Sequence, residues 1–329
     1  MGSVLCRNNS KTMKDETVVV TGASRGLGRS LVEELAMFKA NIIVLGQSSA
    51  KMYKVREEIL EKYNVEIYYL KCDLSKYNEV EKCVKMVIKK FGKIDVFINN
   101  SAIAIGKNVM ETSIEEFEYS IQLNLFSSIY TTKLVLPHMI RQKHGKLVFI
   151  SSLLGKCAIP GIAPYVTSKF ALCGFVEALQ EDLSKAKLDG VEALLVCPGH
   201  INTSMFEGAK PKYKWLNPAL DCETVAKSIV EELQHKSEYM SIPWMLNFVT
   251  IISKNTMPRG LFRMIMNATG ATYFMDSFKG NKSIPHPESN AVGSIGFEDD
   301  DDKYMSDSAN VTYFDDGLQS TLERKINSP

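Results

Sequence analysis

The sequence predicts an α/β fold: a doubly wound, parallel sheet of about seven strands with helices on both faces. Three observations carry that prediction. Short β-branched runs alternate with amphipathic helical patterns through residues 15–240. A glycine-rich turn joins the first run to the first helical pattern. The composition, 45% hydrophobic and 23% charged over 329 residues, suits one large globular domain with chain enough to bury a core.

The strand patterns come in order at Thr17–Thr21, Asn41–Leu45, Glu66–Lys71, Ile94–Asn99, Lys146–Ser151 and Val191–Cys197, with Glu238–Ile242 as a weaker seventh. Helical periods lie between them, as at Ser30–Lys39 and Glu79–Phe91. Such alternation demands parallel pairing through crossover helices, with a ligand crevice at the carboxyl ends of the strands. Residues 1–14 read as a flexible leader, 15–240 as the sheet domain, 241–280 as an apolar helical extension and 281–329 as a disordered acidic tail. The tail holds ten Asp/Glu against four Lys/Arg, a net of −6, which leaves about +7 on the first 280 residues.

Several function classes fall away. A net charge of +1 gives no global basic field for nucleic acid. No run of 18 apolar residues offers a spanning helix, and no secretory signal pattern opens the chain. Seven Cys without paired zinc-like spacing read as reduced thiols in a cytosol-facing protein. Five dispersed His give no metal-ligand spacing.

The first strand runs into Thr21-Gly22-Ala23-Ser24-Arg25-Gly26-Leu27-Gly28. Gly22 permits a tight turn, Gly26 lets backbone approach a pyrophosphate, and Gly28 lets the helix pack closely on the sheet. This is a dinucleotide cradle, with Ser24 and Leu27 as flanking contacts. The second strand ends Gly46-Gln47-Ser48-Ser49, without the acid that would bind a ribose hydroxyl. Arg25, with Lys51 nearby, is a fork for a 2′-phosphate, or else a solvated surface charge. NADP(H) is therefore favoured, and NAD(H) stays open.

Tyr165 and Lys169 stand four residues apart, so on a helix the ammonium shares a face with the phenol. A neighbouring cation is expected to lower the phenol's pKa towards working pH. Ser152 ends a strand thirteen residues earlier, where its hydroxyl can bond a substrate oxygen as charge develops.

Together these motifs resemble the classical short-chain dehydrogenase/reductase family over residues 15–280. Thr21–Gly28 matches its TGxxxGxG, Asn99-Asn100-Ser101-Ala102 resembles NNAG, and Cys72-Asp73-Leu74 resembles the acidic turn near the adenine. Cys197-Pro198-Gly199-His200-Ile201-Asn202-Thr203 matches the PGxxxT segment beside the nicotinamide. The resemblance implies a Rossmann fold and catalysis by Asn124, Ser152, Tyr165 and Lys169. It also implies cofactor contacts from Gln47, Asp73, Leu74, Asn100, Ala102, Pro198, Gly199, Ile201 and Thr203, besides Gly22–Gly28, Tyr165 and Lys169. In that scheme Tyr165 gives or takes the proton, Ser152 positions the carbonyl, and Asn124 supports a relay water.

Thr203–Gly208 and Tyr273–Gly280 resemble the 16C branch, which holds retinol and 17β-hydroxysteroid dehydrogenase relatives. The chain departs from that branch in its acid-free second strand and in showing no N-terminal membrane helix. The implied activity is interconversion of a hydrophobic carbonyl and alcohol, retinal/retinol first, then a steroid or long-chain lipid ketone. An NAD-dependent oxidative dehydrogenase is the alternative, and a non-catalytic lipid-binding protein on a vestigial fold is a rival of another class. A homodimer or homotetramer is the family habit.

Residues 242–266 hold two apolar stretches with Trp244, Lys254, Arg259 and Arg263. They read either as an interfacial membrane contact or as buried helices lining the substrate pocket or a dimer contact. Gly2 and Cys6 offer lipidation positions, or an ordinary unmodified start. The location expected is the cytosolic face of the endoplasmic reticulum or a lipid droplet, with soluble cytoplasm as the alternative. Residues 207–220 read as a substrate lid, with Met205, Phe206, Tyr213 and Trp215 as apolar lining.

Overall fold

The computed structural model describes residues 13–213, 219–281, 283 and 284. The lipidation positions Gly2 and Cys6, Trp215 of the lid and the acidic run at 298–302 lie outside the described residues.

Seven parallel strands form one sheet: β1 Thr17–Thr21, β2 Asn41–Gly46, β3 Ile67–Lys71, β4 Val96–Asn99, β5 Gly145–Ile150, β6 Val191–Pro198 and β7 Tyr239–Ile242. Their spatial order is β3-β2-β1-β4-β5-β6-β7. All seven runs read from the sequence are strands, and Glu238–Ile242 pairs in parallel with β6. β1, β4 and β5 are buried at every residue, as strands covered on both faces must be.

Side chains alternate between two cores because the strand period is two. Val18, Val20, Ile42, Val44, Ile98 and Val148 enter one core. There they meet α1 Gly26–Met37, α2 Ser49–Tyr63 and α7 Cys222–Glu232. Val19, Ile43, Phe97, Leu147, Phe149 and Leu195 enter the other. Its covering helices are α3 Tyr77–Phe91, α5 Ser127–Gln142 and α6 Ala163–Lys185. On the second face, packed against α6, α4 Ile114–Ile121 runs through a π-helical turn, Gln122–Phe126, into α5.

Most element boundaries shift by a residue or two from the sequence reading, and two shifts have a visible cause. α1 begins at Gly26 rather than Ser30, because the glycine turn feeds the helix directly. β4 begins at Val96, since Ile94 N–H turns aside to the Gln142 side chain. The order reverses at β1, whose neighbours β2 and β4 leave in opposite directions. A crevice opens above that switch point, at the carboxyl ends of the strands.

The chain after β7 packs over this crevice. α8 Trp244–Thr256 and α9 Arg259–Ala268 are separated by Met257-Pro258. Phe274, Met275 and Phe278 then form a small third core with Ala104, Ile162, Tyr165 and Val166. Among the described residues, no helix is long and apolar enough to cross a membrane.

Candidate active site

A cleft of about 2120 Å³ runs across the carboxyl ends of β1, β2, β4, β5 and β6. Its floor at one end is the glycine turn. Gly22 and Gly26 take φ of +70° and +55°, which an L side chain rarely adopts. A Cβ on Gly28 would stand 2.3 Å from Gly22 O, so backbone itself fills that space.

Thr21 and Asn100 fix the turn against β4. Thr21 Oγ1 accepts from Asn100 N at 2.9 Å and Ser101 N at 3.0 Å. Asn100 Nδ2 donates to Thr21 O at 2.9 Å and Gly22 O at 3.1 Å. Thr203 closes over Gly26, its Cγ2 3.3 Å from the position of an added Cβ. The cradle therefore fits a dinucleotide: close backbone, left-handed glycines and a helix N-terminus that would face its phosphates.

Gly22, Ser24, Arg25, Gly26, Leu27 and Gly28 line the cleft, as do Gln47, Asp73, Leu74, Asn100 and Ala102. So do Pro198, Gly199, Ile201 and Thr203. Gln47 is exposed and bonded to Asp73. Asp73 also accepts from Ser75 Oγ at 2.6 Å and pairs with Lys76 at 3.4 Å. Burial of Asp73 works against its ionisation, but those bonds outweigh it and hold the carboxyl below the usual range.

Ser152, Tyr165 and Lys169 come together deeper in the same cleft. Ser152 Oγ accepts from Leu154 N at 3.1 Å, which leaves its hydroxyl proton for Tyr165. Lys169 Nζ donates to Ile150 O at 2.7 Å and lies 5.6 Å from the Tyr165 ring centre. Tyr165 and Lys169 are 4% and 2% exposed, low enough for desolvation to dominate both.

This corrects one sequence expectation. Burial pushes the Tyr165 phenol well above its ordinary range, and only the Ser152 bond opposes it. Burial also brings the Lys169 ammonium down to about 8. The i, i+4 spacing does put the cation on the phenol's face, yet loss of water outweighs it here. Tyr165 is thereby held in its protonated form.

Asn124 lies behind the residues that line the cleft. It sits in the π-helical turn, 1% exposed. Its Oδ1 accepts from Ile103 N at 2.7 Å, and its Nδ2 donates to Ile103 O and Ser168 Oγ, both at 2.9 Å. The side chain ties the β4 loop to α6.

The wall above Tyr165 joins a residue the sequence reading expected to one it did not. Phe206 meets the Tyr165 ring edge-on at 5.5 Å. Phe274 joins the same cluster from the turn after α9, where no local period marked it as a wall. The inner faces of α8 and α9 add Val249, Phe262, Ile265 and Met266. The outer face of these two helices stays exposed at Trp244, Met245, Phe248 and Met264. In the lid, Met205, Phe206 and Tyr213 all line the cleft.

Comparisons with known proteins agree with this geometry. Residues 16–214 match the short chain dehydrogenase family. Human short-chain dehydrogenase/reductase 3 is 33% identical over 270 residues, 82% of this chain and 88% of the relative. Mouse epidermal retinol dehydrogenase 2 is 30% identical over 272 residues, 83% and 88% of the two chains. An alcohol dehydrogenase from the archaeon Thermococcus sibiricus, solved with 5-hydroxy-NADP, superposes with a TM-score of 0.61 at 27% identity. That match covers 69% of this chain and 95% of the other. A Burkholderia phymatum enzyme solved with NAD shares the fold, with a TM-score of 0.66 at 20% identity over 74% and 95% of the chains. The chain belongs to the short-chain dehydrogenase family of nicotinamide-dependent oxidoreductases.

Proposed function

We propose that this protein is an NADP(H)-linked oxidoreductase that interconverts a hydrophobic carbonyl and its alcohol, retinal and retinol first. One observation carries the reading: a buried Ser152–Tyr165–Lys169 group lies between a dinucleotide cradle and an apolar chamber. The similarity to epidermal retinol dehydrogenase 2 supports the choice of substrate.

A bound nicotinamide supplies the hydride. The chain's residues handle the oxygen. Ser152 donates to the substrate carbonyl oxygen and so stabilises charge as it develops there. Tyr165, kept protonated by burial, gives its proton to that oxygen. Lys169, anchored on Ile150 O, offers its remaining N–H groups and its charge to the phenolate left behind. Asn124 acts as a positioning residue, holding the Ile103 backbone against the Tyr165 helix. Phe206, Phe274 and the inner faces of α8 and α9 exclude water and hold the hydrocarbon.

NADP preference rests on charge. The end of β2 carries Gln47, not an acid, and Arg25, Lys51 and Lys71 line that end of the cleft. We further assign the outer face of α8 and α9 to a lipid surface. Trp244, Met245, Phe248 and Ile252 are exposed on α8, Leu261 and Met264 on α9. Arg259 and Arg263 are exposed on α9, while Lys254 turns inward to Lys156 O at 2.6 Å. An apolar stripe with basic residues suits an anionic membrane interface, and it would let a lipid substrate enter beside Phe262.

Three measurements test this reading. NADPH oxidation with retinal in detergent should fall at least about a hundredfold in Tyr165→Phe; equal rates would remove Tyr165 from the chemistry. Gln47→Asp should lower kcat/KM for NADPH relative to NADH by at least about tenfold, and an unmoved ratio contradicts the charge argument. The protein should co-sediment with anionic phospholipid vesicles. Replacing Trp244→Glu with Phe248→Glu should weaken that binding at least about tenfold, whereas unchanged sedimentation contradicts the docking face.

A further inference from the structure

His200 lines the cleft but has no part in the proton chemistry described above. It follows Gly199, just past the end of β6. Its backbone is fixed, because His200 O accepts from Leu220 N at 2.7 Å and Leu220 O accepts from Asn202 N at 2.9 Å. Its ring is fixed as well. Phe274 meets the imidazole edge-on at 5.0 Å and Phe206 at 6.1 Å. Phe206 is in turn edge-on to Tyr165, so the imidazole stands one ring away from the phenol.

Among the described residues, no hydrogen bond to either imidazole nitrogen is present. The residue is only half-buried, which leaves the ring reachable from the cleft. Burial lowers its proton affinity, so the ring is neutral at neutral pH and carries one donor and one acceptor. A pre-set polar group between two phenylalanines is a recognition device, because an oxygen set against the rings alone would lose its hydrogen bonds. That loss costs about 1–3 kcal/mol.

We propose that His200 is a second substrate-recognition point, bonding an uncharged hydroxyl or ketone oxygen borne on the hydrocarbon body away from the reacting carbonyl. This rests on the oxidoreductase reading above and extends its substrates to apolar molecules that carry a second oxygen function. A carboxylate fits poorly, since the flanking Phe206 and Phe274 rings offer no counter-charge.

The test is calorimetric binding of decan-1-ol and the isomeric decane-1,n-diols to NADPH-loaded protein. One diol, with its second hydroxyl at the His200 distance, should bind at least about tenfold tighter than decan-1-ol, and diols with the hydroxyl elsewhere should bind more weakly. His200→Phe keeps a flat ring but no donor or acceptor, and should erase the preference. His200→Asn keeps both and should retain part of it. A flat series in the wild type, an unchanged preference in His200→Phe, or no binding of any member overturns the assignment. Calorimetry needs no turnover, so failure of the oxidoreductase reading would show separately, as an inert retinal assay.

Discussion

The site depends on one buried cation. Lys169 is almost without exposure, and its ammonium donates to the carbonyl of Ile150, the last residue of β5, at 2.7 Å. That bond ties the long helix α6 to the sheet. It sets Tyr165, one turn earlier, over Ser152 at the strand's end. It also lets Ser168 meet Asn124, which pulls the π-helical turn and the Ile103 loop into the same assembly. Desolvation then acts on both titrating groups, lowering Lys169 and raising Tyr165.

The sheet supplies the rest of the geometry. Because β1 lies between β2 and β4, its carboxyl end is where the chain order divides and space opens. Thr21, the last residue of β1, gathers the backbone of Asn100 and Ser101, while Asn100 returns two bonds to the glycine turn. The cradle is thus locked from the neighbouring strand before any ligand arrives. The C-terminal residues complete the other wall, and Phe274 and Phe278 close a chamber that the sheet alone would leave open.

Features encoded by local spacing were legible in the sequence. The strand–glycine–helix run, the Tyr165–Lys169 step and the strand-end Ser152 each announce their geometry within a few residues. The acid-free end of β2 is likewise local. What stayed hidden depends on partners far apart in the chain. Asn124 reads as an active-site arm, but its bonds to Ile103 and Ser168 come from two other segments. The raised Tyr165 phenol follows from burial, which no i, i+4 rule contains. His200 reads as one of five dispersed histidines until Phe206 and Phe274 are seen to hold its ring.

The central claim is that a buried ammonium at Lys169 supports proton donation by Tyr165. The pH profile of kcat/KM for retinal reduction, from about pH 6 to about pH 10, tests it most directly. Lys169 loses its proton near 8, so the wild-type profile should hold level below that value and fall above it. Lys169→Arg keeps the charge throughout this range and should carry the fall to higher pH. A wild-type profile flat across the range, or an identical fall in Lys169→Arg, would contradict the account.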